Sequence, residues 1–136
     1  MPFQESDMFT RLGIGRMIKD IKREIDLKRN GMNLKLSIFS CHDSSIGSLL
    51  GAFKVFDGRW PDFGASIILE VQKDKLENEK YVRFVYQDKA MVLPQCAGHY
   101  HGKDETLCQL NKFNEICEKM VPVDYEGECS KVRRRE

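Results

Sequence analysis

Leu34-Lys35-Leu36-Ser37-Ile38-Phe39-Ser40 runs into Cys41-His42-Asp43-Ser44-Ser45 and then into the apolar stretch Ile46 to Phe53. The first segment alternates over several residues and is rich in strand formers, so the sequence reads as strand, polar turn, helix. Open α/β sheets bind ligands where a strand ends and a helix begins, which singles out His42 and Asp43. A helix starting near Ser44 would present unpaired N–H groups and a positive dipole end, both suited to a phosphate. His42 could then donate to a phosphate oxygen while Asp43 serves as an acid. Neighbouring side chains on a regular strand point to opposite faces, so the pair can meet one ligand only if the chain leaves extended geometry at this turn. Taken by residue type alone, the simpler alternative makes Asp43 a helix N-cap and His42 a satisfied polar residue.

Upstream, Phe9, Leu12, Met17, Ile18, Ile21 and Ile25 recur at helical spacing from Ser6 to about Lys28, and Asn30-Gly31 is a natural stop. Gly13-Ile14-Gly15 has too few glycines for a phosphate loop and follows no strand, which leaves a tight helix-packing site. Downstream, Gly58, Pro61 and Gly64 punctuate a loop around Trp60. Ser66 to Val71 and Tyr81 to Tyr86 then read as a hairpin joined by the charged segment Lys73 to Lys80. Leu107, Leu110, Phe113 and Ile116 predict a helix from about Glu105 to Met120. Lys131 to Glu136 reads as a frayed basic tail, solvated rather than bound to nucleic acid or phosphate. There is no internal repeat and no second domain boundary.

The chain has 136 residues, 41% hydrophobic and 32% charged, which is the size and composition of one globular domain. No run of about eighteen apolar residues exists to span a membrane. A net charge of +1 gives no global field to attract nucleic acid or an anionic bilayer. Of five cysteines, Cys96, Cys108, Cys117 and Cys129 cluster toward the C-terminus, a pattern that suggests disulfide stapling, and the odd count leaves at least one thiol over. Cys96, His99, His101 and Cys108 have ligand types that suit zinc, but their spacing matches no standard finger. Met1 to Asp7 is polar and acidic, unlike a signal peptide, and no Asn-x-Ser/Thr sequon occurs.

Leu36 to Leu50, with its strand, cysteine-flanked His42-Asp43 pair and helix, resembles the second signature of the histidine acid phosphatases. Trp60 to Glu70 is similar to the loop and strand that follow it in that family, and Tyr81 to Tyr86 to the next strand. Leu93-Pro94-Gln95-Cys96, Cys108 to Phe113 and Asp124 to Cys129 resemble the later elements in the same order. The likeness runs from about Leu12 to Cys129. It implies an α/β fold, a partial histidine-phosphatase-like sheet flanked by helices, with residues 1–136 forming the C-terminal part of a single domain.

In such enzymes a histidine of an Arg-His-Gly-x-Arg-x-Pro motif attacks a phosphomonoester and forms a phosphohistidine that water hydrolyses. By resemblance, His42 would bind the transferring phosphoryl group and Asp43 would protonate the leaving alcohol. No Arg-His-Gly occurs in this sequence, so these residues alone are expected to be inactive or nearly so, and the second expectation is a non-catalytic binding or interaction module. The resemblance also implies a Cys96–Cys108 disulfide and a partner for Cys129 upstream of this chain; it assigns none to Cys117 or Cys41, and Cys41 is expected to be a small buried apolar residue. No cofactor and no metal is implied. Phosphomonoester is the substrate class, secretion or lysosomal residence the location, and self-association through exposed apolar surface a further expectation.

Overall fold

The computed structural model describes residues 7–133. Helix α1 (Asp7–Gly13) is followed by α2 (Gly15–Arg29) and α3 (Asp43–Ala52). Strands β1 (Ile67–Asp74), β2 (Glu79–Tyr86) and β3 (Lys89–Met91) come next, then a 3-10 turn at Pro94–Cys96 and strands β4 (Tyr100–His101) and β5 (Asp104–Gln109). Helices α4 (Leu110–Met120) and α5 (Tyr125–Arg133) end the described chain. The architecture is α/β: an open antiparallel sheet flanked by helices. No described helix is long and apolar enough to cross a membrane.

The amphipathic α2 buries Ile18 and Ile25 on one face, and Lys22 Nζ meets Asp26 Oδ2 at 2.6 Å on its polar side. It ends where Asn30-Gly31 predicted, with Gly31 at φ +89°. Two helices stand where one was read, because the chain breaks at the buried Ile14 between Gly13 and Gly15. Gly15 lies against the end of α4; a Cβ there would sit 2.8 Å from Pro122 Cδ, so the tight helix-packing site is real.

The sheet order is β1-β2-β5-β4, with β3 also paired to β2. The hairpin forms in the expected register, Ile67 opposite Tyr86, Leu69 opposite Phe84 and Val71 opposite Val82. These alternate residues face the helices, where Phe53 stacks on Phe113 at 5.4 Å and tilts against Phe84 at 5.3 Å. On the opposite face Arg83 donates to Asp104 Oδ2 at 2.6 Å and to Thr106 Oγ1 at 3.1 Å.

Three expectations are corrected. Residues 34–40 form no strand: they pair with nothing in the sheet, because β1 hydrogen-bonds to β2 alone and its outer edge is open. Residues 104–109 are a strand, and the helix expected from Glu105 begins at Leu110, since Val82 and Tyr81 pair with Cys108 and Gln109 across β2 and β5. Cys41 is exposed, not buried, because the segment before it does not pack as a central strand. Of the tail expected at Lys131 to Glu136, residues 131–133 continue α5, and residues 134–136 lie outside the described residues.

Candidate active site

Helix α3 starts one residue earlier than its apolar run suggests. His42 is the N-cap, with extended backbone at φ −107° and ψ 166°, and Asp43 is the first helical residue. The chain therefore leaves extended geometry between the two, the condition under which adjacent side chains can meet one ligand. Asp43 is not the cap. Its Oδ1 accepts from the Ser44 N–H at 2.7 Å and its Oδ2 from Trp60 Nε1 at 2.8 Å, while His42 makes no side-chain capping bond.

The helix end offers less to an anion than its position promised. Ser45 and Ile46 donate to the His42 carbonyl at 3.0 and 3.1 Å, and Ser44 donates to Asp43. Of the first four α3 amides, only that of Asp43 has no bond to another described residue. Any phosphate held here would thus depend on the His42 side chain and this one N–H, reinforced by the helix dipole.

Both residues open onto a cleft of about 1090 Å³ between α2, α3, residues 34–41 and the β1 side of the sheet. Its described lining supplies Lys28 and Lys35 but no arginine. The walls are mostly apolar, with Ile21, Ile46, Phe63, Ile67 and Leu69 among them. Such a volume exceeds the range of about 300–1,000 Å³ usual for small-molecule pockets.

Trp60 was not recognised as part of this site by residue type. It stands 17 residues from Asp43, and no spacing rule links the two. The loop signals at Gly58, Pro61 and Gly64 marked only that the chain turns here, whereas the turn is what returns the indole to the start of α3.

Elsewhere, Cys96 and Cys108 form a disulfide, with Cα atoms 5.8 Å apart. That consumes the two thiolates of the conceivable zinc quartet. His99 and His101 are otherwise engaged, with Gln109 at 3.3 Å and with Asp74 Oδ2 at 2.6 Å. Asp74, Glu77 and His101 do place one ligand atom each within 4.8 Å of one another. However, His101 Nδ1 accepts from the Lys103 N–H at 3.1 Å, so in the neutral ring Nε2 carries the proton and donates it to Asp74. Glu77 in turn accepts from the Tyr81 hydroxyl at 2.8 Å, a bond that pushes the Tyr81 pKa up to about 12. Hydrogen bonds within the hairpins account for this cluster.

Comparison with known proteins agrees with the family resemblance. Residues 11–87, which contain α2, α3, the His42-Asp43 pair and the β1–β2 hairpin, match the model of the histidine phosphatase superfamily, branch 2. The chain is 31% identical over 103 residues to the venom acid phosphatase of Apis mellifera, covering 71% of this chain and 24% of the relative. It is 28% identical over 125 residues to the prostatic acid phosphatase of Rattus norvegicus, covering 88% and 31%. A Schizosaccharomyces pombe protein named "Probable acid phosphatase" is 21% identical over 178 residues, covering 97% and 38%. The chain thus spans about a quarter to two fifths of the length of these relatives.

Proposed function

Since the chain belongs to the histidine phosphatase superfamily, branch 2, we propose that it is the C-terminal part of an acid phosphatase domain that hydrolyses phosphomonoesters. In this reading His42 donates to the transferring phosphoryl group and Asp43 protonates the leaving alcohol. The attacking histidine and its arginines come from outside these 136 residues, in which no Arg-His-Gly occurs. The observation that carries the reading is the Asp43 carboxylate, fixed between the Ser44 amide and the Trp60 indole beside an uncapped His42 at the mouth of the cleft.

The chemistry needs this division of labour. A phosphoryl group in transfer spreads negative charge over its oxygens, which a cationic imidazole donor and a helix N-terminus stabilise. The departing alkoxide needs a proton, which a neighbouring carboxylic acid supplies in acid. The phosphohistidine is then hydrolysed by water, with the bond to the nitrogen broken and inorganic phosphate released. Loss of a nucleophile from a cooperating set costs on the order of 10⁶ in rate in a well-studied protease. The 136 residues alone are accordingly expected to turn over an aryl phosphate at acid pH no faster than the buffer. Turnover that disappears in His42→Ala would overturn the assignment of the nucleophile. Reading the transcript upstream of Met1 tests the rest: an in-frame Arg-His-Gly-x-Arg-x-Pro segment with a further cysteine is expected.

The Cys96–Cys108 disulfide supports an oxidising compartment, for which we propose secretion or the lysosome. A second reading, a non-catalytic interaction module, is favoured by the apolar side chains left exposed along the cleft, Leu36, Ile38 and Phe63 among them.

A further inference from the structure

We infer that two copies of this chain pair through residues 34–38 as an antiparallel ribbon, about a twofold axis at Leu36. The inference needs neither phosphate nor His42, and the phosphatase reading can fail without touching it.

Three observations carry it. First, the alternating segment Leu34–Ser40 has strand chemistry without strand bonds: among the described residues, no backbone N–H or carbonyl from Asn33 to Cys41 is hydrogen-bonded. A row of unpaired amides beside strand-forming side chains is a template for another strand. Second, Leu36 is 74% and Ile38 83% exposed, and both stand on the rim of the apolar cleft. Third, the segment is complementary to itself in one register.

That register follows from the faces. Ser37 donates to Glu24 Oε2 on α2 at 3.1 Å, so in an extended strand Lys35, Ser37 and Phe39 share the α2 side while Leu34, Leu36 and Ile38 share the other. With the axis at Leu36, Leu34 of one copy lies opposite Ile38 of its partner and the two Leu36 side chains meet, so every member of the apolar face pairs with an apolar residue. On the α2 side, Lys35 of one copy falls opposite the partner's Ser37. The Glu24 carboxylate that holds that serine is then beside the lysine, twice by symmetry. Such an interface is isologous and closes at two copies.

The test uses the 136-residue chain with Cys41→Ser and Cys129→Ser, whose mass in solution is measured by light scattering. A dimer of twice 15.8 kDa is expected. Leu36→Cys in this background should form an interchain disulfide under mild oxidation, because residues directly opposite have Cα atoms about 4.5–5.5 Å apart. Ile38→Cys should not, since the two copies of residue 38 are offset by four positions, about 13 Å along the strands. Lys35→Glu should shift the dimer toward monomer at least tenfold in dissociation constant, and Glu24→Lys added to it should restore pairing. A monomer at every concentration, equal cross-linking at 36 and 38, or open-ended aggregation would each overturn the inference.

Discussion

The indole N–H of Trp60 donates to Asp43 Oδ2 across 2.8 Å, joining a loop to the first residue of α3. Trp60 is the only tryptophan in the chain, so its fluorescence reports directly on the carboxylate proposed as the general acid. Asp43→Ala is expected to shift the emission of the folded protein, and His42→Ala to leave it in place. The bond is exposed, so its loss should cost under about 1.5 kcal/mol, at the low end for a charge-assisted hydrogen bond. Emission that ignores Asp43→Ala would show that the indole does not orient the acid in solution.

Two glycines one residue apart should respond with opposite signs. A Cβ at Gly15 would lie 2.8 Å from Pro122 Cδ, where the chain leaving α4 crosses α2, whereas one at Gly13 would meet nothing within 4 Å. Gly15→Ala must push that backbone away and is expected to destabilise by about 1–3 kcal/mol. Gly13→Ala fills open space at the end of α1 and restricts the unfolded chain, a gain of about 0.4–1 kcal/mol. Urea unfolding of both variants checks the pair. Equal effects would mean that α2 does not approach α4 as closely as described.

The parts of the fold legible in the sequence are those whose partners are local. The β1–β2 hairpin is written in its own alternation, since Ile67, Leu69 and Val71 need only Tyr86, Phe84 and Val82 a turn away. Helix α2 is equally self-contained. Residues 34–40 carry as good a strand pattern, but a pattern states what a segment can pair with, not whether a neighbour is present, and none of the described strands takes it in. Leu107, Leu110, Phe113 and Ile116 keep a three-residue spacing across the junction of β5 and α4, so periodicity had no means of seeing the strand. Within the site, the adjacency of His42 and Asp43 at a helix start was readable. The Trp60 contact was not, because it is made by the path of a loop.

The three free thiols should separate by burial. Cys41 is exposed, Cys129 partly buried, and Cys117 fully enclosed, where burial pushes its pKa up to about 12. An aromatic disulfide reagent near neutral pH should modify Cys41 first, Cys129 more slowly and Cys117 only on unfolding, because the thiolate is the reacting species. A rapidly modified Cys117 in native protein would contradict the packing of α4. Reduction adds a second readout: opening Cys96–Cys108, which closes a loop with a sequence separation of 12, should cost about 3 kcal/mol by the chain-entropy estimate. Mild reduction should therefore lower the midpoint of urea unfolding.

Acid stability should depend on carboxylates far from His42. The Asp104 carboxylate is held below its ordinary value first by the Thr106 hydroxyl, then by the Thr106 amide and Arg83. Asp74 is lowered mainly by its bond to His101, and Glu128 mainly by the guanidinium of Arg11. For each group the folded pKa lies below the unfolded one, near 4, so the unfolded chain takes up protons first as acid is added. The stability these groups contribute is complete above about pH 4–5 and is lost as the pH falls through their lower folded values. The thermal midpoint of the wild type should thus fall steadily below about pH 4. Asp104→Asn removes one titrating group together with its charge on Arg83, so the variant should be less stable at pH 7 and lose less on acidification. Parallel pH profiles for the two proteins would mean that Asp104 is not held by Thr106 and Arg83 in solution.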